Sequence, residues 1–166
     1  CTSANAVSVV RSLPTDKVLM TPDRNLAAWV AGQVPEKRVI AYDGVCPTHD
    51  VLRGASLERT RRDHPGAVVI AHPECRREVL ALADEVCSTT GMIAAVGRHP
   101  EAAAFIVATE YGMLHQLRQR FPDRQFVPAD GRLGCRLSCP YMKITGLQDL
   151  LLALRDERYE VEVDAA

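Results

Sequence analysis

Four short polar motifs carry the residues able to do chemistry in this 166-residue chain. Cys46-Pro47-Thr48-His49 places a thiol and an imidazole three residues apart. A thiolate in a loop near a helix start has a lowered pKa and makes a good ligand for a soft metal. The competing reading is a buried structural cysteine beside a helix-capping histidine. Gly134-Cys135-Arg136-Leu137-Ser138-Cys139-Pro140 has the Cys-Pro ending found where thiolates bind iron–sulfur clusters, and the stiffening Pro140 favours Cys139 over Cys135. Cys46, His49, Cys135 and Cys139 could instead close a zinc tetrahedron. His72-Pro73-Glu74 sets an imidazole beside a carboxylate, two titratable groups that can share general acid and base tasks. The plainer alternative has Glu74 as a favourable charge in a first helical turn and His72 as a loop hydrogen-bonder. Ser3 in Thr2-Ser3-Ala4-Asn5, and Ser88 and Thr89 in Ser88-Thr89-Thr90-Gly91, offer hydroxyls at helix starts. Such ends hold carboxylates or phosphates, or serve as ordinary N-caps.

The elements that must position these groups alternate short β-branched runs with helical patterns, the mark of β-α units and a parallel sheet. Strands are expected at 17–21, 38–42, 67–71, 84–88, 104–109 and 125–128. Pro22 marks a helix start with Leu26, Trp29 and Val30 on its apolar face, and Gly32 marks its end. Pro73 starts a helix carrying Val79, Leu80 and Ala83, and a third helix covers 110–120. Thr145-x-x-Gln148 fits a capping box before the stripe Leu147, Leu150, Leu151 and Leu154, which reads as core packed on something beyond the two repeated units. Each polar motif follows a strand and precedes a helix, where parallel sheets place their ligands. One active site at the strand ends is therefore expected.

Two parts of the chain resemble each other. Cys1-Thr2-Ser3-Ala4-Asn5-Ala6 aligns with Cys87-Ser88-Thr89-Thr90-Gly91-Met92, and Val39–Gly44 with Phe126–Gly131, at an offset of about 86 to 88 residues. That exceeds solenoid periods of roughly 20–50 residues, so the repeating unit is a small domain. A cysteine follows each closing Asp-Gly, which invites a metal between the copies.

Composition narrows the classes. With 47% hydrophobic residues and a net charge of -1, the chain can bury a core and has no basic face for nucleic acid. The Arg59-Thr60-Arg61-Arg62 run reads as the wet side of a helix. No apolar run approaches the ~20 residues of a membrane span. The six cysteines are expected as ligands or catalysts in a cytoplasmic protein, not as disulfides. Cys75 reads as a buried small residue, and His64, His99 and His115 receive no role.

Taken together, Cys1–Ala6, Pro22–Leu26, Gly44–His49, His72–Cys75, Ser88–Met92, Ala108–His115 and Cys139–Lys143 resemble the quinolinate synthases, iron–sulfur enzymes of de novo NAD biosynthesis. The resemblance runs in order over nearly the whole chain. It implies three similar αβα domains around a pseudo-threefold axis, with two present here: 1–48 most of the middle domain, 49–139 the last, and 140–166 a C-terminal segment packing on the absent first domain. It implies a [4Fe–4S] cluster with Cys46 and Cys139 among its ligands and an open iron acting as Lewis acid. The implied reaction condenses iminoaspartate, supplied by another enzyme, with dihydroxyacetone phosphate. Glu74 would be the acid/base, His72 and His49 its polar partners, and Ser3, Ser88 and Thr89 the holders of carboxylates or phosphate. Cys87 stands where the family more usually has glycine and is given no role. Because the family draws a cluster ligand from each of three domains, this piece alone is expected to be inactive. The rival reading is a non-catalytic metal-binding or thiol redox module built on Cys46 and the Cys135/Cys139 pair.

Overall fold

A computed structural model describes residues 1–131 and 137–163. The expected strands form two parallel sheets. β1 (Lys17–Met20) pairs with β2 (Arg38–Ala41), and β3 (Val68–Ala71), β4 (Glu85–Val86), β5 (Ala104–Ala108) and β6 (Gln125–Pro128) form a sheet ordered β4-β3-β5-β6. The helices are α1 (Ala6–Ser12), α2 (Arg24–Gln33), α3 (Pro47–Asp50), α4 (Gly54–Asp63), α5 (Arg77–Leu80), α6 (Thr89–Arg98), α7 (Gly112–Arg120) and α8 (Leu147–Asp156).

The four-stranded sheet is the centre of three layers, and the two-residue alternation of its strands shows why. Val69, Ala71, Ile106 and Ala108 point to one face and pack with Leu57 of α4 and Val79 of α5. Ile70, Phe105 and Val107 point to the other and pack with Met92 of α6 and Leu114 and Leu117 of α7. Both faces are apolar, so β3 and β5 read as continuous hydrophobic runs. The two-stranded sheet differs. Val18, Met20 and Val39 lie against α1 and α2, whereas Leu19 and Ile40 of the opposite face are exposed.

Several local expectations shift. α2 runs through Gly32 to Gln33, and its cap is Asp23, whose carboxylate accepts the Leu26 N–H, with Pro22 one position before the cap. Pro73 does not start a helix: the Cys75 N–H donates to the His72 carbonyl at 2.9 Å, closing a turn, and α5 begins only at Arg77. α8 is capped one residue later than the Thr145 box implies, with Asp149 accepting the Gly146 N–H at 2.8 Å. Its leucine stripe is not core among the described residues, since Leu147 is 86% and Leu154 78% exposed. Arg59, Arg61 and Arg62 do form the wet side of α4. Among the described residues no helix is long and apolar enough to cross a membrane.

Candidate active site

The strand-end loops converge on two stacked imidazoles. Cys46 caps α3, whose first residue, Pro47, has the fixed φ that suits a helix start. One turn on, His49 is buried with Nδ1 3.2 Å from Cys46 Sγ and 3.0 Å from Glu74 Oε2. Its Nε2 lies 2.9 Å from Thr109 Oγ1, at the end of β5. The ring is thus held at both nitrogens by groups from three different loops. His72, following β3, stacks on it with ring centroids 4.6 Å apart. The Glu74 N–H donates to His72 Nδ1 at 3.4 Å, which assigns the proton to Nε2, 3.1 Å from Ser3 Oγ.

The two imidazoles are tuned in opposite directions. Burial pulls His49 down, but hydrogen bonds to Cys46 and Glu74 outweigh it and lift the ring to about 9. Burial, reinforced by the neighbouring His49 charge, takes His72 down to about 4. The His49 hydrogen bond holds Glu74 below the usual carboxylate range despite its partial burial. Near neutral pH the site therefore holds an imidazolium–carboxylate pair beside a neutral imidazole. Groups pushed apart in this way can divide acid and base roles.

Other site residues sit around this centre. Ser3 meets His72 directly. Thr89 lines a cavity of about 490 Å³ whose wall includes His49, His72, Thr109, Glu110 and Lys143. Ser88 instead caps α6, accepting the Gly91 N–H at 3.2 Å. Cys139 faces the Thr48 hydroxyl, so it lies against the loop that carries Cys46. The N–H of Met142, with help from Thr48, sets the Cys139 thiol below its ordinary range. Burial pushes Cys75 up to about 12 and Cys87 up to about 11, which separates these two thiols from the ligand candidates.

The donor atoms of Cys46, His49 and Glu74 all lie within 4.8 Å of one another, a set able to hold a cation. Of the four groups offered for zinc, only Cys46 and His49 belong to that set; Cys135 lies outside the described residues. Cys1, Cys46, Cys75, Cys87 and Cys139 are free thiols. Reasoning from the sequence gave no role to Asp23, Thr109 or Glu110, although each sits in a strand-end motif. Nor did it foresee Asn25, whose amide donates to the Glu74 carbonyl and to Asp50, both at 3.0 Å. Arg76, which the sequence also left without a role, ion-pairs with Asp50.

Comparison with known proteins agrees in one direction. The sequence model of one family, described as Quinolinate synthetase A protein, matches residues 1–166. The chain is 43% identical over 163 residues to a quinolinate synthase of Thermodesulfovibrio yellowstonii, covering 98% of this chain and 52% of the relative. It is 46% identical over 155 residues to one from Geotalea uraniireducens, covering 93% and 49%. For one from Geobacter metallireducens the identity is 47% over 154 residues, with the same coverage, 93% and 49%. The chain thus spans about half the length of the curated relatives it matches.

Proposed function

This chain belongs to the Quinolinate synthetase A protein family, and from that premise we propose that the full-length protein carrying it is a quinolinate synthase. The reaction is the condensation of iminoaspartate with dihydroxyacetone phosphate, with loss of phosphate and water, in the cytoplasm. The observation that carries this reading is the junction of Glu74 with His49 and His72 directly beside Cys46.

The donor set fits a [4Fe–4S] cluster. Cys46 and Cys139 are soft donors on loops in contact through Thr48, while desolvation raises the Cys75 and Cys87 thiols. Cys46 and Cys139 would hold two of its irons, and when bound the cluster supplies a Lewis-acidic iron for dehydration. Glu74 is the base, its carboxylate kept ionised by the His49 hydrogen bond, and the His49 ring beside it can return a proton. Neutral His72, stacked on His49, orients Ser3 toward substrate oxygen. Thr89 on the cavity wall and Ser88 at the start of α6 bind carboxylate or phosphate. Residues 140–166 pack on the first of three domains, and iminoaspartate arrives from a separate supplying enzyme.

The test is quinolinate formation by the full-length protein, reconstituted anaerobically with iron and sulfide, beside its Cys46→Ser and Cys139→Ser variants. Product from the parent alone is expected. A bound cluster with no product from the parent would favour the metal-binding or thiol redox module.

A further inference from the structure

Two buried carboxylates outside the reacting groups perform the same task at the two candidate ligand cysteines. Asp23, 4% exposed, follows β1. Its Oδ1 accepts the Leu26 N–H at 2.7 Å, at the start of α2, and its Oδ2 accepts the Cys46 N–H, also at 2.7 Å. Glu110, 7% exposed, follows β5. Its Oε2 accepts the Gly112 N–H at 2.6 Å, at the start of α7, and its Oε1 accepts the Cys139 N–H at 3.3 Å. Oε1 also lies 3.2 Å from Lys143 Nζ. In both cases the acid leaves one strand and the cysteine loop follows its hydrogen-bonded neighbour, β2 beside β1 and β6 beside β5.

Helix capping alone does not explain this arrangement. A cap needs one acceptor, and serine performs the task about as well as aspartate. Burying a carboxylate is costly unless its oxygens are matched, and here the second oxygen is matched each time by the amide of a cysteine. At the helix start itself glycine leaves room for the capping bond: a Cβ on Gly112 would come within 2.7 Å of Glu110 Oε2.

We propose that Asp23 and Glu110 are positioning residues for Cys46 and Cys139, each locking a ligand loop to a helix start and occupying the cysteine's own N–H. This rests on reading both cysteines as cluster ligands. Hydrogen bonds to cluster sulfurs and nearby charge set the reduction potential. An N–H held by a carboxylate cannot turn toward sulfur, so the pair keeps the potential low and the ligand loops preformed.

The experiment compares the reconstituted full-length protein with its Asp23→Ser and Glu110→Gln variants. Asp23→Ser keeps an acceptor for Leu26 and removes the arm to Cys46. Thermal unfolding of the cluster-free form should stay near the parent's. Loss of iron to a ferrous chelator should become roughly 10-fold faster or more, in the range seen when outer-shell partners of metal ligands are removed. The midpoint potential, followed by electron paramagnetic resonance, should rise. Parent-like iron loss and potential in a folded variant that carries its cluster would overturn the proposal. If Asp23→Ser does not fold, Glu110→Gln decides by the same two readouts. A parent that takes up no cluster, or a Cys46→Ser variant that retains a full one, would instead sink the ligand reading beneath, and this inference with it.

Discussion

At the scale of single residues, the informative contrast is between two histidines 4.6 Å apart that titrate in opposite senses. Both are buried, so desolvation acts downward on each; what separates them is company. His49 has Cys46 and Glu74 hydrogen-bonded on one nitrogen, whereas His72 has a serine hydroxyl and a backbone N–H, stands 3.8 Å from Glu74 Oε2 and faces the His49 charge. Glu74 is the hinge of that difference, because its carboxylate stabilises the His49 charge and is itself kept ionised by it. Replacing it with glutamine keeps the shape and removes the proton acceptor. Glu74→Gln in the full-length protein is expected to lower kcat roughly 10²–10⁴-fold, the usual weight of a general acid–base group. The cluster absorbance should be retained, since a soft-donor site does not need the carboxylate. Loss of cluster together with activity would make Glu74 a metal ligand and favour the triad it forms with Cys46 and His49.

At the scale of elements, Glu85 shows how an edge is tied down. β4 is only two residues long and contributes this carboxylate to Arg98 and His99 at the end of α6. Arg98 is the main reason Glu85 sits below its ordinary value of 4.5, against the opposing effect of burial, with His99 adding to it. A folded-state pKa below the unfolded one gives stability that is fully present above pH 4.5 and is lost as pH falls through the folded value. Thermal scans against pH should therefore show Glu85→Gln less stable than the parent near neutrality and level with it in acid; a gap of constant size would mean the charge is not the cause. His99 had no visible partner in the sequence because Glu85 lies 14 residues away across a strand–helix crossover. The same reason hid Thr109 from His49, 60 residues apart. The strands were legible, since β3 and β5 bury both faces and so spell unbroken apolar runs. The helix at Pro73 was misplaced, because the His72–Cys75 turn that holds Glu74 off the helix depends on its long-range partners rather than on local preference. The α8 stripe declared its period but not what, if anything, covers it.

At the scale of the whole molecule, the half-length match and the state of the thiols bear on one question. Desolvation holds Cys75 and Cys87 as neutral thiols, while Cys46 and Cys139 are part-exposed on the converging loops and Cys1 is exposed beside the Ser3 segment. The family resemblance assigns a cluster three cysteines from three domains, and the chain covers 52% or less of the relatives compared above. With two anchoring thiolates a [4Fe–4S] centre would leave two irons without a protein ligand, one more than the single open iron the resemblance implies, and exchange with solvent and thiols should strip it. The 166-residue chain, reconstituted anaerobically and passed through gel filtration, is expected to emerge without stoichiometric iron and to make no quinolinate. The full-length protein under the same treatment should retain both. Retention of four irons by the chain alone would require a third ligand from within it, and Cys1→Ser and Cys135→Ser variants would then identify which thiol supplies it.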